Sequence, residues 1–228
     1  MSTAQTPKKP EVNIPVLYED EACVAFYKPT GLLVIPTDKD ERHTLVSVVN
    51  QRLATTSSLY PAHRLDRDTS GVILFAKGKD NQQKLMQFFK DKKVKKTYIA
   101  FAHGHLKQAR GKISIPIKDY HQRKFTNHLP EQSALTHYEV DQYRKDFTVV
   151  RVCPITGRTN QIRIHLAKIG HPLVGEDVYA FRRDFTLRFR RIALHAFELQ
   201  WPHPVTGKMI SVQAPLAKDM EDFLANNK

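Results

Sequence analysis

A chain of 228 residues is long enough to bury a continuous hydrophobic core, in one large domain or two small ones. Its two cysteines, Cys23 and Cys153, form no C-x-x-C pair and have no histidine at a zinc-ligand spacing, which is typical of a reduced, intracellular protein without a structural metal. The polar N-terminus lacks the apolar segment of a signal peptide, and nowhere do about 18 uncharged apolar residues follow one another, so neither secretion nor a membrane span is expected.

The charge balance is strongly basic. Lysine and arginine total 36 against 23 acidic residues, which gives a net charge of +13 at pH 7 and a pI of about 9.7. Such a balance favours a polyanionic partner, and nucleic acid is the first candidate. Charge alone leaves acidic lipid and simple solubility open as alternatives, so the positions of the cations matter more than their number.

The N-terminal part of the chain predicts a tail followed by a strand, a turn and a second strand. Residues 1–13 are polar and contain Pro and Lys, which is typical of a flexible tail. Residues 16–37 then contain two β-rich runs, and Pro29, Thr30 and Gly31 supply turn chemistry between them. We therefore expect two strands joined at these three residues.

The rest of the chain mixes helix and strand patterns. Apolar residues near a helical period predict helices over 43–54, 79–93, 159–170 and 217–225. Alternating or continuous apolar runs predict strands over 72–76, 96–105, 134–144, 147–155, 191–202 and 208–215. Because strands outnumber helices and do not alternate regularly with them, we predict an α+β fold with a mixed, largely antiparallel sheet, in a single domain over 14–228.

One long irregular stretch, residues 118–133, is polar and basic and contains Tyr120, Arg123 and Lys124. Long loops in compact domains are usually functional or disordered. Cations suit phosphates and aromatic rings suit splayed bases, so we expect this loop to contact RNA. The lysine-rich residues 90–96 are expected to contribute as well.

The most unusual local pattern is "HRLDRDTSG", in which Asp66 stands between Arg64 and Arg67, directly before the apolar run "VILFA". A charged run before a strand is most often a solvated turn. The turn sequence "DTSG" next to a core strand can, however, hold a side chain in a fixed direction. An aspartate held near arginines stays ionised and can serve as a nucleophile or a base.

The segment "HRLDRDTSGVILFAK" resembles the signature of the RluA family of pseudouridine synthases, which convert uridine in RNA to its C-glycoside isomer. Four further segments are similar to family motifs and follow in family order: "VAFYKPTGLLVIPT", "KKTYIAF", "TGRTNQIRIHLAKIGHPLVGEDVYA" and "LHAFELQWPHPVTGKMISVQAPL". The resemblance covers about residues 16–225. It implies the family's fold and an isomerase activity.

The resemblance also implies catalytic roles. Asp66 matches the aspartate that acts at the ribose of the target uridine, either by attacking C1′ or by removing the C2′ proton, and the sequence leaves both routes open. Arg163 matches an arginine that pairs with this aspartate. Tyr98 matches a tyrosine that packs against the uracil ring and takes the C5 proton. Without the motifs, Arg163 would be interpreted as a surface residue of a helix and Tyr98 as a core residue of a strand.

Arg64 matches a residue that enters the RNA stack where the target base has left, although a partner for Asp66 or for a phosphate is the simpler interpretation. The other expected RNA contacts are His63, Arg67, Arg158, Tyr120, Arg123 and Lys124. Asn160 stands where family members commonly carry His, and it keeps a hydrogen-bonding side chain. We expect this difference to leave the chemistry intact.

The resemblance implies a cytoplasmic enzyme that acts on a tRNA or rRNA stem-loop, without the N-terminal S4 domain of some relatives and without an obligatory protein partner. No cofactor is expected, because the isomerisation involves no net oxidation. No metal is expected either, since the stretch with His165 and His171 contains Gly170 and Pro172, so the two histidines do not lie on one helical face, and no third ligand is evident. Two alternatives remain: a catalytically silent RNA-binding protein on the same scaffold, and a hydrolase that releases uracil.

Overall fold

The fold is organised around one large mixed sheet. The computed structural model describes residues 13–37, 43–52, 58–118, 130–180 and 187–228. Its strands are β1 (Val16–Glu19), β2 (Cys23–Lys28), β3 (Leu59–Pro61), β4 (Ser70–Lys77), β5 (Lys95–His103), β6 (Arg110–Ile113), β7 (Ile117–Lys118), β8 (Glu131–Gln132), β9 (Thr136–Tyr143), β10 (Phe147–Pro154), β11 (Leu194–Pro202) and β12 (Met209–Gln213). Its helices are α1 (Leu45–Arg52), α2 (Lys79–Lys90), α3 (Gln161–Lys168) and α4 (Lys218–Asn226).

The strand order is β1-β2-β4-β11-β5-β10-β9-β6, with β3 added beside β4 and β12 beside β11. Within the described strands every pairing is antiparallel except β4 with β11, which run parallel. Strands β7 and β8 form a separate pair. The predicted α+β fold with a mixed, largely antiparallel sheet is confirmed.

The sheet is covered on both faces, which explains why "VILFA" is continuously apolar. Along β4, Val72 and Leu74 pack in a cluster that includes Leu85 of α2, whereas Ile73 and Phe75 pack in a cluster that includes residues of α1. Side chains on a strand point alternately to opposite faces, so a strand buried on both sides has no polar positions. Asp66 therefore precedes a strand whose position is fixed from two directions.

At the N-terminus the predicted strand, turn and strand are wrong in their placement. The hairpin joins β1 to β2 around Asp20, whose carboxylate accepts the backbone N–H groups of Ala22 and Cys23, both at 2.8 Å. Residues 32–37 form no strand. Two of their carbonyls, at positions 33 and 34, instead accept the first backbone N–H groups of α1. Contacts with the helix that follows thus override local β propensity.

The other predicted elements in the described ranges are confirmed, with ends that differ by a few residues. The predicted helix over 43–54 begins at Leu45 and is described to Arg52. The tail over 1–13 lies outside the described residues except for its last position, and so does the 118–133 loop between 119 and 129. None of the helices in the described ranges is long and apolar enough to cross a bilayer.

Candidate active site

A cavity of about 630 Å³ opens beside the start of β4. Three parts of the chain form most of its wall: the loop before β4, the end of α2 with the start of β5, and the whole segment from 154 to 163 between β10 and α3. These parts are distant in sequence, and the sheet order brings them together because β4 and β5 both flank β11. The cavity therefore joins several segments that were singled out separately in the sequence.

Most of the predicted site residues line this cavity. The lining residues among them are Asp66, Tyr98, Arg163, Arg64, His63 and Arg158. Arg67 does not line it; its side chain is exposed, and its backbone carbonyl serves to anchor the loop. Tyr120, Arg123 and Lys124 lie outside the described residues.

The backbone of the Asp66 loop is anchored by Lys28, which lies at the end of β2. The Lys28 ammonium is buried and donates hydrogen bonds to the carbonyls of Pro29 (2.9 Å), Leu32 (2.7 Å) and Arg67 (3.0 Å). Burial lowers the pKa of Lys28 to about 7, although the nearby Asp68 and Asp66 favour its charge. A carbonyl of the residue next to Asp66 is thus held by a lysine that titrates near neutral pH.

A second cation anchors the same loop from the other side. Arg191 donates to the carbonyl of Asp68 at 3.0 Å, and its guanidinium is itself held by the carboxylate of Asp219 on α4 at 2.7 and 2.8 Å. Gly71 completes this arrangement, because a Cβ at that position would lie 2.1 Å from the carbonyl oxygen of Ala196 on β11. The glycine of "DTSG" is therefore required by the close approach of the parallel strands.

Arg163 has a different partner from the predicted one. Its Nε and Nη2 groups both donate to the carboxylate of Glu176 at 2.8 Å, and its Nη1 group donates to Asn160 Oδ1 at 3.2 Å. The predicted direct pair with Asp66 is not among these bonds. Burial opposes the charge of the guanidinium, but the hydrogen bonds and the charge of Glu176 outweigh it and raise the pKa of Arg163, and Asp66 adds a smaller effect through space. Arg163 bonds to Glu176 because this carboxylate lies within hydrogen-bond distance and accepts through both of its oxygens.

Glu176 is positioned for this task by its own turn. Its Oε1 atom accepts the backbone N–H groups of Asp177 (3.1 Å), Val178 (2.9 Å) and Tyr179 (3.2 Å), and its side chain is 1% exposed. Burial opposes ionisation, but the bonds from Arg163 and from the backbone outweigh it and lower the pKa of Glu176. The pair stays ionised, with the Arg163 guanidinium also lying over the Tyr179 ring at 5.0 Å.

These bonds leave the end of the guanidinium usable. An arginine has five N–H groups, and the three bonds described above occupy one on each nitrogen. One N–H on each terminal nitrogen is left for an anion that enters the cavity. Arg163 is thus a fixed hydrogen-bond donor for an anion rather than a mobile surface side chain.

Tyr98 lies on β5 between two core clusters and lines the cavity. Burial, together with the charge of Asp66, raises the pKa of its phenol well above the usual value. At neutral pH the phenol is therefore protonated, which gives a flat ring with a hydrogen-bonding tip. This state suits contact with a planar base.

The segment from 154 to 160 is held by Gln161, the first residue of α3. Its buried amide accepts bonds from Thr156 Oγ1 (2.7 Å) and the Arg158 N–H (3.0 Å), and it donates to the Leu135 carbonyl (3.0 Å) and to Thr136 Oγ1 (2.9 Å). One side chain therefore fixes most of this wall to β9.

The charge of the wall is strongly positive. Among the described residues that line the cavity, Asp66 is the one carboxylate, and the cations are Arg64, Lys90, Lys92, Lys96, Arg158 and Arg163. Burial lowers the pKa of Lys96 to about 8, so it is still mostly charged at neutral pH. An excess of cations around a carboxylate suits a polyanionic substrate, because the cations offset the repulsion between the substrate and the carboxylate.

His63 is used by the fold. Its Nε2 atom accepts the backbone N–H of Leu74 at 3.1 Å, and its ring packs on Phe89 with 4.7 Å between centroids. Burial, with the charge of Lys96, lowers the pKa of His63 to about 3, so the imidazole is neutral. A contact with RNA would use the ring face rather than a charge.

The two histidines considered as metal ligands also make internal bonds. His165 bonds to Thr136 Oγ1 and to the Ile115 carbonyl, both at 2.9 Å, and His171 bonds to the His103 carbonyl at 2.9 Å. Within the described ranges no three His, Cys, Asp or Glu side chains are grouped as metal ligands would be.

Sequence reasoning missed three residues that position the site: Lys28, Arg191 and Glu176. Two of them stood in quoted motifs, Lys28 in "KPTG" and Glu176 in "GED", without an assigned role. Arg191 gave no signal, because its contact with Asp68 joins residues 123 positions apart.

Comparison with known proteins agrees with this geometry. A family model described as RNA pseudouridylate synthase matches residues 22–168. The dual-specificity RNA pseudouridine synthase RluA of Pasteurella multocida is 36% identical over 89% of this chain and 93% of its own length. The protein of the same name from Vibrio cholerae is 37% identical over 90% of this chain and 82% of its own length. The ribosomal large subunit pseudouridine synthase D of Haemophilus influenzae is 33% identical over 93% of this chain and 71% of its own length.

Two solved structures share the fold. Human RNA pseudouridylate synthase domain containing 4 superimposes with a TM-score of 0.75 at 23% identity and covers 92% of this chain and 91% of its own. Human RNA pseudouridylate synthase domain containing 1 gives a TM-score of 0.73 at 24% identity and covers 97% of both chains.

Proposed function

This chain belongs to the RNA pseudouridylate synthase family and is an RNA pseudouridine synthase of the RluA type, and on that premise we propose that it isomerises uridine in tRNA or rRNA with Asp66 acting at the ribose. The curated relatives carry names that refer to dual specificity and to the large ribosomal subunit. We assign the same substrate classes, a flipped-out uridine and a cytoplasmic location to this chain. The domain over 14–228 is proposed to hold the whole activity.

The observation that supports this proposal best is the meeting of Asp66, Tyr98 and Arg163 in one basic cavity. In the reaction the bond between C1′ and N1 breaks, the uracil turns, C1′ bonds to C5, and the C5 proton leaves. Nucleophilic attack at C1′ and removal of the C2′ proton both require an ionised carboxylate beside the sugar. The loop anchored through Lys28 and Arg191 holds Asp66 at the cavity wall.

Arg163 is proposed to stabilise negatively charged groups in the cavity once the substrate has displaced water. Its remaining terminal N–H groups would bind either Asp66 or an oxygen of the nucleotide. Fixed donors need no reorganisation during the reaction, which is how preorganised sites lower a barrier.

Tyr98 is proposed to act first as a platform for the uracil. The raised pKa of Tyr98 keeps its phenol protonated. The hydroxyl can therefore accept the C5 proton only if it gives up the proton that it already carries. Arg64, which is exposed and lines the cavity, is proposed to fill the stack that the uridine leaves. The other predicted RNA contacts, including those in the 118–133 loop, remain proposals.

The test is tritium release from RNA labelled at uridine C5, with total tRNA and total rRNA assayed separately. Replacement Asp66→Asn should lower release at least about a thousandfold, because the amide cannot act as nucleophile or base. Asp68→Asn is the matched control, since Asp68 lies on the same turn but does not line the cavity, and it should keep activity within about threefold.

Product analysis separates the alternatives. A mass-neutral isomer of uridine supports the proposal, free uracil indicates a hydrolase, and unchanged RNA indicates a silent binding protein. Full activity of the Asp66→Asn protein would overturn the assignment of Asp66.

A further inference from the structure

Two residues of the cavity wall have an unusual backbone. Among the described residues other than glycine, only Lys92 (φ 59°) and Asn160 (φ 54°) have a positive φ angle, and both line the cavity. A side chain in this left-handed region costs about 1–2 kcal/mol, and such positions concentrate at functional sites. Asn160 is explained by its bonds to Arg163 and Tyr179, and asparagine tolerates the conformation well.

Lys92 lies where helices usually carry glycine. After α2, the N–H of Lys92 bonds to the Phe89 carbonyl at 3.2 Å and the N–H of Lys93 bonds to the Phe88 carbonyl at 2.9 Å. This pair of bonds closes the helix with one left-handed residue, a position that favours glycine because it has no Cβ. A lysine there lowers stability relative to glycine. Favourable contact with the helix dipole does not require Lys92, because Lys90 already lies in the last turn.

The side chain of Lys92 faces the cavity without an internal partner of opposite charge. It is exposed, and among the described residues it forms no ion pair, whereas its neighbour Lys93 lies 3.8 Å from Asp91 and over the Phe88 ring. Lys90 and Lys96 line the same side of the cavity. The wall beside α2 is therefore cationic, and Lys92 projects from it at a position that stability alone would give to glycine.

We propose that Lys92, at the C-terminal turn of α2, binds a backbone phosphate of the RNA strand that delivers the target uridine to the cavity. The inference rests on the proposed function, since it names a contact for the same substrate. A lysine ammonium binds a phosphate as a point charge, without a demand on base identity. The contact therefore contributes affinity and position, and it leaves the choice of uridine to other residues.

The test uses Lys92→Gly, Lys92→Arg and the control Lys84→Gln, at an exposed lysine of α2 that does not line the cavity. Binding of a synthetic uridine-containing stem-loop RNA is measured by fluorescence anisotropy over a range of salt concentrations, and thermal unfolding is measured on the same proteins. Lys92→Gly should be at least as stable as the parent, because it relieves the left-handed strain. It should also lower the salt-dependence slope by about 0.7–0.9, which is a loss of about five- to eightfold in affinity at 0.1 M salt. Lys92→Arg and Lys84→Gln should keep the parent slope.

Each other result contradicts the inference. An unchanged slope in Lys92→Gly would show that Lys92 does not contact a phosphate, and a loss of stability in this variant would contradict the argument from strain. An equal drop in slope in Lys84→Gln would show that the effect comes from the general charge of the protein. Tritium release by the parent protein is measured alongside. Its absence would refute the proposed function, while the binding and stability measurements would still decide the role of Lys92. Where release occurs, Lys92→Gly should raise KM and leave kcat unchanged.

Discussion

The walls of the cavity that carry Asp66 and Arg163 are held in opposite ways. On the Asp66 wall, Lys28 and Arg191 donate to backbone carbonyls of the two residues that follow Asp66, so the loop is fixed through its main chain. On the Arg163 wall, the Arg163 side chain itself is held, by Glu176 and Asn160. The carboxylate is thus positioned without its own oxygens being involved in these anchors, whereas the guanidinium uses three of its five donors to stay in place.

This difference reflects what each group has to do. In the proposed reaction Asp66 acts on the sugar directly, so anchors on its side chain would compete with the reaction. In the same proposal Arg163 serves as a fixed positive charge, and bonds to some of its N–H groups orient the others. Substitutions on the two walls should therefore have different effects. On the Arg163 wall they should disturb the orientation of the guanidinium, and on the Asp66 wall they should shift the position of the loop.

Among substitutions of the groups that hold the two walls, the largest effect is expected from Glu176→Gln. The amide would set an N–H group against donors of Arg163 or of the backbone and would leave the guanidinium without its charge partner. Breaking a buried pair of this kind costs about 3–5 kcal/mol of stability. Misorientation of Arg163 should lower the rate of tritium release about 100-fold, with KM changed less than kcat. Urea denaturation and steady-state kinetics measure the two effects.

The matched control is Glu139→Gln, because Glu139 also accepts two N–H groups from an arginine, Arg110, at 2.9 and 2.6 Å. That pair is 79% and 48% exposed, so its loss should cost less than about 1 kcal/mol and leave activity unchanged. Equal stability losses in the two variants would mean that burial of the Glu176 pair has no energetic consequence. Unchanged kcat in Glu176→Gln would show that the orientation of Arg163 does not matter.

Lys28→Met tests the opposite wall and should have a smaller effect. The carbonyl of Arg67 would lose a donor, the loop would move slightly, and activity should fall about tenfold. A distinct signature lies in the pH dependence of stability. The pKa of Lys28 is about 7 in the native state and near 10.5 when unfolded, so the unfolded chain binds an extra proton between these values. Stability therefore rises with pH above 7.

The useful window ends near pH 9. Burial raises the pKa of Cys23 to about 12, so above its ordinary value of 9.0 this thiol makes stability fall with pH. Between pH 7 and 9 Lys28 should contribute a positive slope that approaches about 1.4 kcal/mol per pH unit for one proton, and Lys28→Met should lose this contribution. Lys96, with a lowered pKa of about 8, adds a second positive contribution that grows towards pH 9 and that the variant keeps. Equal slopes in the parent and in Lys28→Met would mean that Lys28 titrates as an exposed lysine does.

The contrast between the walls also explains what could be predicted from the sequence. Strands such as β4 were predictable because burial on both faces leaves a continuous apolar run. The candidate catalytic residues could be proposed from the sequence because they stand in motifs with a family resemblance. The anchors were not, since Lys28 and Arg67 are 39 positions apart and a lysine that bonds three carbonyls has the same letter as an exposed one.

The misplaced hairpin has the same cause. Residues 32–37 have strand composition, but the Leu32 carbonyl bonds to Lys28 and the next two carbonyls bond to α1. The partner that Arg163 has in this structure could not be predicted for a related reason, because the turn that presents Glu176 is defined by three backbone N–H groups and not by residue types. Local propensity cannot reveal which distant group will satisfy a polar atom.

The smallest effect is expected from Asn160→His, which introduces the residue that family members commonly carry. Histidine tolerates a positive φ better than most residues, and a ring nitrogen can accept the bond from Arg163 Nη1. Since Glu176 holds Arg163 through two bonds and Asn160 through one, the kcat for tritium release should stay within about threefold of the parent and stability within about 1 kcal/mol. Asn160→Val provides the contrast, because a β-branched residue at φ 54° should cost about 1–3 kcal/mol and lose the bond as well. If Asn160→His lowers kcat as much as Glu176→Gln does, Asn160 orients Arg163 as strongly as the buried carboxylate does, and the ranking by number of bonds is wrong.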